Sequence, residues 1–376
     1  MTSGRLFGGI EQMLVTIATC RHVTPDVHVQ FAIAAPGRLE RELRDTGVPV
    51  ELLGDVRLSR PASVLHARAH LAQVIDAQTK QSHEPLVVVC HAPWAYTLFA
   101  PVAKRSGVPV VLWQHTHASG RSVIERLGKR TPADLVICNS QWTTASSTAL
   151  QEQVPVTVIH PPVRVLPPPR DPLGARESIR AEYKLPSHAV VIFAASRLEP
   201  GKGHTNLLQA VSRLLDLPGW IVCIAGGSQR PEEHRYKVLL DQEIRERGLE
   251  ERVRFLGELS GTSRFMHATD VFCQANELPD AFGIVFAEAL LAGVPVVTPR
   301  MGGAPEIVDE TCGRLVPPGD VNALAHALRE LVGDAALRRQ LGANGPAHAA
   351  RRVAPAIVLP RLARTLDSLV AAPVSH

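Results

Sequence analysis

Short apolar runs alternate along the chain with longer stretches of helical spacing, which is the signature of βαβ units and parallel sheets. In the first half, strands are predicted at Val27–Ala34, Leu86–Cys90, Val108–Trp113, Leu135–Asn139 and Val156–Ile159. Helices are predicted between them, near Ile10–Arg21, Leu39–Thr46, Pro61–Thr79, Tyr96–Arg105 and Thr143–Leu150. The alternation resumes with strands at Val190–Ser196, Trp220–Gly226, Val253–Leu256, Val271–Ala275, Val294–Thr298 and Leu315–Val316. The matching helices fall near Lys202–Leu215, Tyr236–Arg247, Ser263–Ala268, Gly283–Ala292 and Val321–Leu331. Between the halves, His160 to Pro172 carries prolines at 161, 162, 167, 168, 169 and 172. Proline fixes φ and lacks an amide donor, so this stretch reads as a semi-rigid linker. The pattern therefore predicts an α/β protein of two doubly wound domains: residues 1–160, a linker at 161–172, and residues 173–345. The remainder, 346–376, is expected to be a helical tail redirected by prolines at 346, 355 and 360, packing back on the first domain. Doubly wound folds bind ligands beyond the carboxyl ends of their strands, and two of them offer a cleft.

Composition narrows the classes. The 376 residues carry 40 Lys and Arg against 36 Asp and Glu, a net charge of +4, too balanced to announce a nucleic-acid surface. Apolar runs stop well short of the roughly 18 residues needed to span a bilayer, and no secretory leader is visible. The six cysteines stand singly, with no CxxC, so neither a zinc site nor a disulfide framework is signalled and a reducing cytoplasm is the expected home.

Several chemistries are excluded by missing motifs. Gly203 follows Lys202 where a Walker A loop needs Ser or Thr. No GxSxG elbow and no GxGxxG turn after a strand occur, which argues against acyl transfer and nicotinamide chemistry. No Asp-x-Asp occurs to hold a nucleotide through a divalent ion. His66 and His70 have i, i+4 spacing but read better as a solvated helix face.

Two constellations remain. Ser196-Arg-Leu-Glu-Pro-Gly-Lys-Gly203 follows the first strand of the second domain and opens a helix, exposing backbone amides at a positive dipole end. Arg197 adds a planar fork and Lys202 a point charge, together suited to a diphosphate; the plainer reading is a βα turn with two solvated cations. Pro279-Asp-Ala-Phe-Gly-Ile-Val-Phe-Ala-Glu288-Ala-Leu places one acid, Glu288, in an otherwise apolar helix. Burying it is costly unless it accepts hydrogen bonds, which vicinal ribose hydroxyls would donate; the alternative is a carboxylate facing solvent.

These phrases resemble the retaining glycosyltransferases of family 4, which adopt the GT-B fold: two Rossmann-like domains facing a central cleft. The family's acid, seven residues and a second acid, followed by "A-hydrophobic-A-x-G-x-P-V-V", is matched by Asp280 to Val297. Its "S-R-hydrophobic-x-x-x-K-G" phrase is matched by Ser196 to Gly203. Gly302-Gly303-Ala-Pro-Glu306 and Gly313 to Val321 follow in order, Gly8-Gly9-Ile-Glu11 resembles the glycine-rich loop opening the first helix, and Cys138-Asn139-Ser140 resembles a strand end near the acceptor. Two departures stand out. Asp280 replaces the family's first Glu, and only seven residues precede Gly8, too few for the usual opening strand.

The resemblance implies sugar transfer from a nucleotide-diphosphate sugar to a hydroxyl acceptor, with retention and with neither metal nor other cofactor; a non-catalytic nucleotide-sugar-binding relative is the alternative. It implies catalytic roles for His115, Asp280, Arg197 and Lys202, and donor binding by Gly8, Gly9, Phe282, Gly283 and Glu288 together with both cations. Acceptor-side candidates are His91, His117 and Ser140. Four cations in Arg121–Arg130 read first as a solvated helix face and second as a weak peripheral contact with the inner membrane face. The partners implied are the donor and an acceptor unnamed by the sequence, with no nucleic acid.

Overall fold

The computed structural model describes residues 1–4, 7–82, 84–146, 154–164, 169–227, 230–259 and 261–371. They form two compact units, Met1–Arg164 with Val353–His376, and Val165–Arg352.

The first unit is built on parallel strands. β1 (Phe31–Ile33) pairs with β2 (Val50–Leu52), and β3 (Val88–His91), β4 (Val110–Gln114), β5 (Leu135–Cys138) and β6 (Val156–Val158) form a second parallel group in that order. The opening segment lies between the groups. Thr2 bridges to Ile33 in parallel, the Ala34 amide donates to the Thr2 carbonyl at 3.2 Å, and the His91 amide donates to the Met1 carbonyl at 2.8 Å. The position expected to lack a strand is thus filled among the described residues by a single bridge. Helices α1 (Gly9–Thr19), α2 (Arg38–Asp45), α3 (Pro61–Gln81), α4 (Ala92–Arg105), α5 (Val123–Gly128) and α6 (Gln141–Ser146) connect the strands. Most of the strands of both units begin or end within a few residues of the apolar runs, because a strand buried on both faces has to be apolar throughout. β2 escaped the pattern, its three residues being too short for one. The end of the helix predicted at Thr143–Leu150 lies outside the described residues.

The second unit is a six-stranded parallel sheet in the order β12-β11-β10-β7-β8-β9. These strands are β7 (Val190–Ala195), β8 (Trp220–Ala225), β9 (Val253–Gly257), β10 (Val271–Cys273), β11 (Val296–Pro299) and β12 (Gly313–Val316). The order turns back at β7, with β10 on one side and β8 on the other, which is the switch point where such sheets bind ligands. α8 (His204–Ser212), α9 (Pro231–Glu246), α10 (Thr262–Met266), α11 (Ile284–Leu291) and α12 (Val321–Gly333) cross between the strands.

Pro172, the last residue of the predicted linker, already belongs to a helix. Val163 donates its amide to the Val353 carbonyl at 2.8 Å, and Pro172 opens a further helix, α7 (Pro172–Glu182), capped by Asp171; residues 165–168 lie outside the described residues. α7 belongs to the sheet because Asp270 accepts from Arg176 at 2.5 Å, from Arg180 at 2.7 Å and from the Val191 amide at 2.7 Å.

The tail also departs from expectation. Only Pro355 interrupts it, between α13 (Ala335–Val353) and α14 (Pro355–Ala371), while Pro346 and Pro360 lie inside helices. Packing carries α13 through its proline. A Cβ on Gly342 would lie 2.3 Å from the Gly293 carbonyl oxygen, and one on Gly345 would lie 2.8 Å from that of Leu290, so the turn leading into the proline is packed tightly against its neighbours. No described helix is long and apolar enough to cross a membrane.

Candidate active site

In the second unit, the loops following β7, β10 and β11 interlock, and glycines make that approach feasible. Gly203 caps α8 at φ +70°, and a Cβ there would stand 1.7 Å from the Ala275 carbonyl oxygen. The Gly201 carbonyl accepts from the amides of Glu277 and Leu278 at 3.0 and 3.2 Å. On the other side, the Gly303 amide donates to the Asp280 carbonyl at 2.9 Å, and a Cβ on Gly302 would lie 2.1 Å from that same oxygen. The phrases matched separately in the sequence therefore form one block of backbone at the carboxyl edge of adjacent strands.

Lys202 and Asp280, 78 residues apart, meet within that block at 2.9 Å, both half-buried. Arg197, 41% exposed, donates to Glu199 at 3.2 Å and stands 3.8 Å from Glu233, a buried carboxylate that caps α9 by accepting from the Arg230 amide. The two cations assigned to a diphosphate therefore already face three carboxylates. Exposed or half-exposed pairs of this kind are worth about 0–1 kcal/mol, so an arriving diphosphate can compete with them.

Glu288 sits in α11 with its Oε2 accepting from Thr262 Oγ1 at 2.7 Å. Burial raises its pKa above the usual carboxylate range, partly offset by the threonine. Phe282 is 2% exposed, so its ring serves the core. Gly283, at φ +84°, caps α11; a Cβ there would strike the Phe286 ring at 2.3 Å. Thr262 was invisible in the sequence, since a threonine 26 residues before the glutamate carries no spacing signal. His204 was also missed: it is buried at the start of α8, with its Nε2 3.2 Å from Ser196 Oγ and its pKa depressed to about 4 by burial.

In the first unit, β3 and β4 bring His91 and His115 together, with Nδ1 of one 3.0 Å from Nε2 of the other. Both rings stack with Trp113, at centroid distances of 5.4 and 5.6 Å. The pair is 6% and 5% exposed, and burial holds His91 well below the usual imidazole pKa and lowers His115 to about 3. Both are therefore neutral, one donating and the other accepting. The residue after His91, Ala92, has φ +72° and precedes a proline, a conformation costing about 1–3 kcal/mol that tends to persist at functional sites. His117 is exposed, with its ring 6.5 Å from Trp142.

Ser140 is fully buried, and its Oγ accepts from the Thr143 amide at 2.9 Å and pairs with Thr143 Oγ1 at 2.8 Å, so it opens α6. Gly8 and Gly9 are exposed at the start of α1, where the Gly8 amide donates to Glu11 Oε2 at 3.0 Å. His70 stands 3.8 Å from Glu51 of β2, while His66 faces solvent.

Two family profiles match the chain, one described as "Glycosyltransferase Family 4" over residues 7–165 and one as "Glycosyl transferases group 1" over 175–348. A phosphatidyl-myo-inositol mannosyltransferase of Mycobacterium leprae is 32% identical over 182 residues, which are 48% of this chain and 46% of that protein. A GDP-mannose-dependent alpha-(1-6)-phosphatidylinositol monomannoside mannosyltransferase of Mycolicibacterium smegmatis is 30% identical over 270 residues, 66% of this chain and 67% of that protein. The match thus spans about half of the first relative's length and two thirds of the second's. Among solved structures, Anabaena HepE in complex with UDP and glucose superposes with a TM-score of 0.81 at 25% identity, covering 98% of each chain.

Proposed function

The chain belongs to the family 4, group 1 glycosyltransferases of GT-B fold, and from that premise we propose that it moves a sugar from a nucleotide-diphosphate sugar to a hydroxyl acceptor with retention of configuration and without a catalytic metal. The observation that carries this reading is the interlocked block that holds Lys202 2.9 Å from Asp280. As the glycosidic bond breaks, negative charge builds on the diphosphate and positive charge on the anomeric carbon. Lys202 and Arg197, with the amides at the start of α8, meet the first, and Asp280 meets the second while accepting from the sugar's hydroxyls. Glu288 accepts from the ribose. The neutral His91–His115 pair supplies a hydrogen-bonding edge for the sugar or acceptor, not a charge.

The donor class is supported by HepE's complex with UDP and glucose, and the acceptor class by relatives named for phosphatidylinositol substrates. An acceptor carried by lipid would call for a cytoplasmic enzyme that touches the inner membrane face. Arg121, Arg126, Lys129 and Arg130 are all exposed around α5, beside Val123 at 60% and Leu127 at 43% exposure, which suits a weak contact with anionic lipid.

Steady-state kinetics of Arg197→Ala and Lys202→Ala test the reading. Each is expected to lower kcat by about 10²–10³, because cations at the leaving group bind the transition state better than the ground state. Exhaustive chelation is expected to leave turnover in place. If the variants raise KM alone, the residues merely hold the nucleotide; if the unaltered chain binds a nucleotide sugar and forms no product with any acceptor, the chain is a binding relative.

A further inference from the structure

The turn entering β12 and the helix α13 bring together three potential metal ligands that the donor chemistry does not use. Asp309 Oδ1 lies 3.7 Å from Cys312 Sγ, Asp309 Oδ2 lies 3.5 Å from His348 Nδ1, and all three ligand atoms fall within 4.8 Å of one another. A tetrahedral zinc ion bound at ordinary lengths sets its oxygen and nitrogen about 3.4 Å apart and its oxygen and sulfur about 3.6 Å apart; here the approaches to nitrogen and sulfur are made by the two different oxygens of the Asp309 carboxylate. Chain spacing conceals the set, since Asp309 and Cys312 are three residues apart but His348 is 36 further on.

The surroundings suit a metal. Cys312 is fully buried and His348 is 6% exposed, while the Asp309 side chain is 48% exposed and leaves a side open for water as a fourth ligand. The Asp309 amide points at Cys312 Sγ from 3.5 Å, a donor for a thiolate. Thr311 holds the carboxylate through its amide at 2.9 Å and its hydroxyl at 2.6 Å, the outer-shell partners that a metal-ligating carboxylate characteristically carries. Arg352 donates to the His348 carbonyl at 3.1 Å and places one positive charge near the cluster.

We propose that Asp309, Cys312 and His348 form a site for a borderline divalent cation of zinc type, which clips α13 to the turn before β12. One thiolate with one carboxylate and one imidazole is a donor set selecting zinc over magnesium or calcium, which take oxygen ligands. On binding, the Cys312 thiol loses its proton to solvent as the sulfur–metal bond forms; Asp309 is already ionised, and neutral His348 gives up no proton. The clip is structural and independent of the transfer chemistry proposed above.

The test uses the full chain, stripped by chelation, then loaded with Zn²⁺ or Co²⁺ and dialysed. One equivalent of zinc is expected to stay bound and raise the unfolding temperature, and Co²⁺ is expected to add a thiolate charge-transfer absorption. Cys312→Ser removes that absorption and His348→Gln weakens zinc binding at least tenfold, whereas Cys273→Ser, altering a buried cysteine of β10, changes neither. His348→Gln keeps a polar side chain on α13 and reports even if Cys312→Ser does not fold. Zinc retained below stoichiometry, no cobalt–thiolate absorption, or an absorption that survives Cys312→Ser overturns the proposal.

Discussion

Replacing Gly203 with alanine probes the interlocked block most directly. The new side chain meets two separate costs. Holding an L-residue at φ +70° costs about 1–2 kcal/mol, whatever surrounds it. The added Cβ would also lie 1.7 Å from the Ala275 carbonyl oxygen and 2.4 Å from its carbon, where contact is normally about 3.5 Å, and both neighbours are backbone. The β7 and β10 loops must then separate by well over an ångström, an overpacking that costs about 1–3 kcal/mol more. The total is about 2–5 kcal/mol. Gly219→Ala isolates the first cost, because Gly219 has φ +73° with nothing within 4 Å of its Cβ position. Urea unfolding should show Gly203→Ala as the more destabilised by the difference. Parting the loops also moves Lys202 from Asp280, and a displacement near 1 Å at a reacting centre lowers kcat by about 10². Equal unfolding free energies and equal kcat for the two alanine variants would refute the claim that this contact sets the site.

Glu288→Gln should weaken donor binding by about 1–3 kcal/mol in calorimetry, since an amide is the poorer acceptor for ribose hydroxyls. It should cost little stability, because the amide oxygen can still accept from Thr262; unchanged donor affinity would sink the ribose assignment. The buried histidines predict a pH dependence of stability. His115 titrates near 3 in the folded chain and near 6.5 when unfolded, so the unfolded state binds its proton first. Stability is full above pH 6.5 and falls as pH drops towards 3, by about 2 kcal/mol at pH 5 for this group alone. Urea titrations of the protein and of His115→Gln should differ by that slope, and parallel curves would refute it.

The fold was legible because parallel strands buried on both faces are apolar throughout, and Val190–Ala195 or Trp220–Ala225 cannot be anything else. What depends on packing was not. The proline at 346 predicts a broken tail, yet α13 runs through it because Gly342 and Gly345 seat the helix against Leu290 and Gly293. The donor phrases were legible as motifs, but their carboxylate partners were not. Nothing at position 233 announces that a buried glutamate faces Arg197 across the loop. The contacts of Ser140 were hidden for the same reason: a serine ending a strand looks the same in sequence whatever its hydroxyl meets, here the opening turn of α6.

The aspartate at 280, where the family's phrase carries glutamate, is a consequence of this packing. Its backbone is gripped from the β11 loop, through the Gly303 amide and the close approach of Gly302, and its carboxylate is gripped from the β7 loop by Lys202. A side chain fixed at both ends needs no extra methylene to reach its partner. In the proposed reaction, a bond that heterolyses between sugar and diphosphate develops opposite charges at its two ends. A lysine and a carboxylate held 2.9 Å apart present the complementary signs side by side. In the resting site the two neutralise one another; as the bond stretches, each gains a second partner of opposite sign without moving. The reorganisation that water would have to make is built into the loops beforehand, which is what electrostatic preorganisation requires.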